Sequence, residues 1–392
     1  MEKIILIMLL LIALMSMLPA EDYQLQEITM DKVINDYLPN YKIKKQIQLE
    51  GIGRDFAVAK DTGNIVAVTK TDKKYIVKML DLEGNCEWSH FFDNSYYNIS
   101  AFVSNNGNTT TLFLSEGEGR GKNLIISNKG NVLFESPSTY NVFHPSPDGE
   151  YIYSTMNIMG GTPKKDINLY RLDGTKISLK GLEEFGIQQS GVKFVDKNHL
   201  IIFGILDSKE ICMYYCNLNN NHLDILWKYK FKKSSLIFNY LYTRSTKISD
   251  NKIAVNVNGS GFYIFNQQGD IIYRNKSVNS FCFTDNNKII TDNYNTINII
   301  DIKTNRLEEF KMNLSYSDKT AFLESISFND NYLISIRRAH YSNKKHHSLV
   351  INNRAIYALN NECFWFSNNS SKKFITIDHK KDSTISIYNE SN

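Results

Sequence analysis

Residues 143–153 run Phe143-His144-Pro145-Ser146-Pro147-Asp148-Gly149-Glu150-Tyr151-Ile152-Tyr153. Two short apolar runs flank a turn of Pro, Asp and Gly, where Asp hydrogen-bonds its own backbone and Gly accepts a positive φ; this is the composition of a tight β-hairpin. The turn is one of a series. Asp61-Thr62-Gly63-Asn64, Asn105-Asn106-Gly107, Pro147-Asp148-Gly149, Asp196-Lys197-Asn198, Asp250-Asn251, Asp285-Asn286-Asn287, Asn329-Asp330-Asn331 and Ser367-Asn368-Asn369 each stand between two strand-like runs. Their spacing of about 40–45 residues, with four strands per unit, is the period of a β-propeller blade.

The two ends of the series fit together. The eighth unit has strands near Cys363–Phe366, Phe374–Ile377 and Thr384–Tyr388, and the chain then ends without an outermost strand. At the other end, Tyr41, Ile43, Ile47 and Leu49 alternate with Lys42, Lys44, Gln46, Gln48 and Glu50, the period-two pattern of a half-buried strand left without a blade. Pairing this strand with the last three closes a ring and removes the open sheet edges of an unclosed stack. The expectation is an all-β chain forming a single propeller of eight four-stranded blades, or seven if two short units merge. Residues 41–392 form the propeller and residues 21–40 a polar lead-in, with at most one or two helical turns around Met30 to Tyr37.

Residues 1–20 read differently. Met1-Glu2-Lys3 precedes an apolar stretch from Ile4 to Leu18, then Pro19-Ala20 before Glu21-Asp22. The stretch is shorter than the roughly 20 residues that span a bilayer, and a small residue before polar sequence suits cleavage. We read a signal peptide, hence a secreted or periplasmic protein with no transmembrane segment after its removal; the alternative reading is an uncleaved membrane anchor.

Charge and cysteine content narrow the function classes. With 45 basic and 41 acidic side chains the formal charge is +4, which implies no global affinity for nucleic acid or membrane, so any electrostatic recognition is local. The five cysteines, Cys86, Cys212, Cys216, Cys282 and Cys363, form no dense framework. Cys212 and Cys216, four apart on a strand, stand about 13 Å apart, too far to bond, and read as buried apolar residues.

Two stretches carry a resemblance. The hairpin at 143–153, followed by Asp166-Ile167-Asn168-Leu169-Tyr170-Arg171-Leu172-Asp173-Gly174, resembles the repeat of the bacterial TolB-like and WD40-like propellers. Asp81-Leu82-Glu83-Gly84-Asn85-Cys86-Glu87-Trp88 resembles the outer turn and strand of the quinoprotein-like repeat. The resemblance implies the propeller and no substrate. The cofactor site of quinoprotein enzymes also requires calcium ligands and, in many, adjacent cysteines; neither pattern occurs here, and we assign no cofactor.

Catalytic motifs are likewise incomplete. Ser115-Glu116-Gly117-Glu118-Gly119-Arg120-Gly121-Lys122 ends like a phosphate loop, but strands flank it on both sides where that motif needs a following helix, so it reads as a hairpin loop. There is no Gly-x-Ser-x-Gly elbow. His340, His346 and His347 share one loop without a Cys or carboxylate partner, the pattern of solvated histidines rather than a zinc site. Trp88, Trp227 and Trp365 read as packing between blades.

One local feature points to binding. The loops joining second and third strands all emerge on one face of a propeller. In blade 7 this loop holds Arg337, Arg338, His340, Lys344, Lys345, His346 and His347; in blade 8 it holds His379, Lys380 and Lys381; in blade 1 it holds Lys70, Lys73 and Lys74. The corresponding loops of blades 4, 5 and 6 carry little net positive charge. The sequence therefore points to a non-catalytic binding or scaffold module whose partner on this face is a protein or an anionic polymer and not a specific nucleic acid. The alternative is a propeller enzyme, a hydrolase, a lyase or a quinoprotein-like one, with residues converging in the central channel.

Overall fold

The computed structural model describes residues 26–28, 30–117, 120–139, 141–156, 169–180, 187–206, 211–219, 221–231, 246–249, 252–257, 260–276, 278, 280–284, 288–292, 296–304, 306–311, 320–328, 331–338, 345–352, 355–359, 362–364, 373–378 and 383–390. The chain is a β-propeller. Its strands form eight sheets among the described residues, numbered here as blades 1 to 8 in chain order.

Blade 1 comprises Ile52–Val58, Ile65–Lys70, Lys74–Leu80 and Cys86–Asp93; blade 2 comprises Asn98–Val103, Thr109–Gly117, Arg120–Ser127 and Val132–Thr139. Three strands of blade 3 follow, Asn141–Pro145, Tyr151–Met156 and Leu169–Arg171. Blade 4 runs from Ile187–Phe194 through His199–Leu206 and Ile211–Asn219 to His222–Lys230. The strands of blade 5 are Thr246–Ser249, Lys252–Val257, Gly261–Asn266 and Ile271–Asn275, and those of blade 6 are Ser280–Phe283, Lys288–Asp292, Thr296–Asp301 and Leu307–Lys311. Blade 7 contains Thr320–Phe328, Asn331–Arg338, Lys345–Asn352 and Ala355–Leu359. Blade 8 contains Glu362–Phe364, Lys373–Asp378, Thr384–Glu390 and, as its outer strand, Tyr41–Gln48.

Sequence pattern accounts for the position of each strand. Ile65–Lys70 and Lys74–Leu80 are near-continuous apolar runs because second and third strands are covered on both faces by neighbouring blades. Outer strands alternate, as in His222–Lys230, because only one face is covered. The core is accordingly a series of layers between blades rather than one centre. Val66, Val77 and Met79 of blade 1 pack on Ile99, Leu112 and Ile126 of blade 2, and Ile201 and Tyr215 of blade 4 pack on Val255 and Phe265 of blade 5.

Aromatic residues key adjacent blades together. Gly130, at the outer turn of blade 2 with φ +81°, leaves no room for a Cβ, which would lie 2.6 Å from Cβ of Trp88 on the outer strand of blade 1. Gly269 rests on Trp227 in the same way, and the Trp227 indole N–H donates to the Gln267 carbonyl at 2.8 Å. Thus Trp88 and Trp227 are packing residues, as expected, while Trp365 lies outside the described residues. The ring closes by the same device: the outer turn of blade 1, at Gly84, presses on Ile47 of blade 8.

The closing strand pairs antiparallel with Thr384–Glu390, as the two sequence ends suggested, with one change. The register shifts between Ile43 and Lys45, and this bulge breaks the alternation. Tyr41 and Leu49 are buried, the Tyr41 ring 5.3 Å from that of Phe374, and Ile47 packs against the layer between blades 8 and 1, but Ile43 is 45% exposed. The lead-in is also more engaged than its polarity suggested. Gln26–Ile28 adds as a parallel fifth strand to Ala355–Leu359, and the helix Met30–Tyr37 buries Met30 and Val33. Three residues are too few to show a strand period, so only the partner edge reveals this strand.

Of the turn series, those at Gly63, Gly107 and Gly149 have the expected positive φ. Asp250-Asn251, Asp285-Asn286-Asn287, Asn329-Asp330 and Ser367-Asn368-Asn369 lie outside the described residues, as do residues 1–25 with the signal-peptide stretch. The glycine-rich segment at 115–122 is a hairpin, Gly117 pairing with Arg120.

Candidate functional site

The meander gives the ring two unlike faces. Turns between first and second strands occupy one face and are tied blade to blade: the Asp61 N–H donates to the Asn105 carbonyl at 2.8 Å, the Asn105 N–H to the Pro147 carbonyl at 2.9 Å, and the Asn106 amide to the Asp148 carbonyl at 2.6 Å. In blades 1 to 3 these turns are taken up by such ties. The opposite face carries the loops between second and third strands.

Ser383 fastens the seam on this second face. Its N–H donates to the Gly51 carbonyl at 3.3 Å, its carbonyl accepts from the Leu49 N–H at 2.9 Å, and its hydroxyl accepts from the Gly53 N–H at 2.7 Å. Ser383, the residue before the strand Thr384–Glu390, thus ties blade 8 to the start of blade 1. In blade 7, the ladder sets Arg338 opposite Lys345 and Arg337 opposite His346, with His347 opposite Ile336. Arg337, Arg338, Lys345, His346 and His347 therefore lie on the two strands rather than in the loop between them. His340, Lys344, His379, Lys380 and Lys381 themselves lie outside the described residues.

The blade 1 corner is described in full. The Lys70 ammonium lies 4.5 Å from the centroid of the Tyr75 ring and 3.2 Å from its hydroxyl, and the Lys74 ammonium lies 4.4 Å from the Phe91 ring centroid. Tyr75 is buried, whereas Phe91 is exposed, and a contact on open surface contributes about 0.5–1 kcal/mol and leaves the cation able to bind an anion. Among the described residues none of Lys70, Lys73 and Lys74 is in an ion pair, whereas Lys122 on blade 2 is held by Glu135 at 2.9 Å. That hydrogen bond to Glu135 also raises the Lys122 pKa. The Thr71 hydroxyl oxygen accepts from the N–H groups of Lys73 and Lys74 at 3.3 and 3.2 Å, which fixes the loop between them. Asp93, the nearest strand-end carboxylate, is engaged inside its own turn: hydrogen bonds from the Ser95 hydroxyl and N–H hold it below the usual carboxylate range.

Sequence reasoning missed the aromatic part of this corner. Phe91 is 58% and Tyr97 76% exposed. The available signal was a pair of aromatic doublets, Phe91-Phe92 and Tyr96-Tyr97, flanking Asp93-Asn94; Phe92 packs on the layer between blades 1 and 2, which turns Phe91 outward.

Other acid and base groups have structural duties. The buried Asp55 carboxylate accepts from the Ala101 N–H at 3.0 Å, a tie between blades 1 and 2. Burial raises the pKa of Asp196, but hydrogen bonds from the Asn198 N–H and from His199 outweigh it and hold the carboxylate low. The His199 ring in turn stacks on Tyr215, which stacks on Trp227 and that on Phe265, at centroid distances of 5.5, 5.3 and 5.5 Å. This Asp–His pair terminates a packing column. Cys86 is exposed and Cys212, Cys216 and Cys282 are buried. Among the described residues no three His, Cys, Asp or Glu side chains gather as metal ligands, and no helix is long and apolar enough to cross a membrane.

No protein-family model and no curated protein matches the sequence. Solved structures do match in fold. The chain is similar to BamB from Moraxella catarrhalis, at 10% identity over 89% of this chain and 99% of that one with a TM-score of 0.56. It is similar to Sqt1 from Saccharomyces cerevisiae at 13% identity over 90% and 98%, TM-score 0.52, and to a eukaryotic initiation factor at 13% over 89% and 94%, TM-score 0.51. Identities this low carry the β-propeller architecture and no partner or activity.

Proposed function

We propose that this chain is an exported, non-catalytic binding module of the TolB-like or quinoprotein-like kind, which recognises an acidic protein surface or another anionic polymer through the second-to-third loops of blades 7, 8 and 1. The observation that carries this reading is the closure of the ring. Pairing of Tyr41–Gln48 with Thr384–Glu390 makes blades 8 and 1 neighbours, which supports a shared sector for basic segments some three hundred residues apart in the chain. Clustered Lys, Arg and His attract anions by summed field and charge-assisted hydrogen bonds.

The test is retention on a poly-glutamate resin. Lys345→Glu, Lys380→Glu and Lys381→Glu together should abolish it, while Lys60→Glu, Lys129→Glu and Lys197→Glu, three exposed lysines of the opposite face, should leave it intact. Binding should weaken with salt as exposed charges are screened, and tighten below about pH 6.5, where a histidine ordinarily gains its proton. Equal retention of the two variants would remove the basis for the proposal.

A further inference from the structure

The corner of blade 1 combines charge with exposed rings in a way that charge binding alone does not need. Phe91 and Tyr97 are the exposed large aromatic side chains among the described residues, and Ile52, 39% exposed, stands opposite Lys70 in the ladder of the same blade. Lys70, Lys73 and Lys74 lie in the strand ends and loop between them. The backbone beneath is held on several sides. The Tyr97 N–H donates to the Ser115 carbonyl at 2.7 Å, the Tyr97 carbonyl accepts from the Tyr75 hydroxyl at 3.1 Å, and the Asn94 amide donates to the Asp72 carbonyl at 2.6 Å.

An aromatic ring on a fixed backbone loses little freedom when it is covered, which is why such rings dominate binding energy at interfaces. Resting on the function proposed above, we infer that this corner is an anchor for a partner segment that is acidic and carries an aromatic side chain: the ring stacks against Phe91 or Tyr97 while flanking carboxylates meet Lys70, Lys73 and Lys74. A polyphosphate backbone fits less well. Asp72 is exposed in the same loop and Asp93 beside it, so the positive track that a continuous row of phosphates would follow is interrupted, whereas a peptide can space its carboxylates around them.

The experiment compares three probes on the full chain: poly-glutamate, a random copolymer of glutamate and tyrosine in 4:1 ratio, and oligo-dT of similar charge. The copolymer should bind about tenfold tighter than poly-glutamate. Phe91→Ser with Tyr97→Ser should erase that advantage, so that the copolymer binds the variant no tighter than poly-glutamate does; both positions are exposed, and far-UV circular dichroism checks that the variant is folded. If the copolymer binds no tighter, or the double variant keeps the advantage, the anchor is refuted while the basic-face reading stands. Failure of all three probes would refute both, and tighter binding of oligo-dT, lost with the two rings, would replace the peptide by a single-stranded nucleic acid.

Discussion

Replacing Gly130 by Ala tests whether blades are keyed together by glycine turns seated on outer-strand aromatics. At φ +81° any L-residue meets the left-handed penalty of about 1–2 kcal/mol, part of which, about 0.4–1 kcal/mol, is returned because Ala restricts the unfolded chain. The added methyl would also lie 2.6 Å from Cβ and 2.9 Å from Cγ of Trp88, a side chain that is 7% exposed and unable to swing aside. Overpacking of this kind costs about 1–3 kcal/mol more. Gly117 supplies the control: its φ is +93°, and a Cβ there meets nothing within 4 Å. Gly117→Ala should therefore lose about 1 kcal/mol and Gly130→Ala about 2–4 kcal/mol, read as a shift of the urea midpoint at unchanged slope. Repeating Gly130→Ala in a Trp88→Ala background removes the clash, so its cost should fall to that of the control. Equal losses at Gly130 and Gly117, or no relief without Trp88, would refute the keying of blades.

A chain beginning at residue 41 loses the strand Gln26–Ile28 and the burial of Met30, Val33 and Leu38, about 1.5–3 kcal/mol for each side chain, yet keeps the ring. One beginning at residue 50 also opens blade 8, and it should lose the cooperative melt; similar melting curves would contradict the closure. In the native protein Cys86 should alkylate quickly and Cys212, Cys216 and Cys282 only on unfolding, as peptide mapping of the labelled sites reports. Burial pushes the Cys216 thiol up to about 12 from an ordinary value of 9.0. The folded state then holds a proton that the unfolded state releases, so this group's stabilisation is complete below pH 9 and is lost as pH rises toward 12, at no more than about 1.4 kcal/mol per unit. Cys216→Ala should flatten that alkaline decline in denaturation midpoints. N-terminal sequencing of exported protein should find Glu21 first; retention of Met1 to Ala20 would argue for an anchor instead.

What was legible beforehand and what was not divide along a physical line. Turn chemistry is local: Asp148 and Gly149 need only their own backbone to make a hairpin, so the repeat, the strand positions and the unpaired ends were all present in the residue order. Apolar periodicity is local too, and it marked the closing strand at Tyr41–Gln48. Long-range pairing is not local. The bulge that breaks the alternation between Ile43 and Lys45 is imposed by the register against Thr384–Glu390, and the three-residue strand at Gln26–Ile28 exists because blade 7 offers an edge. The same holds at the site. Composition located the basic loops, since charge is a property of each residue alone, but the pairing of Arg338 with Lys345 and the exposure of Phe91 and Tyr97 depend on which neighbour covers which face. Nothing in a doublet such as Phe91-Phe92 says which ring is buried; the sequence determines that one of the two must face out, and only the packing of blade 1 on blade 2 decides that it is Phe91.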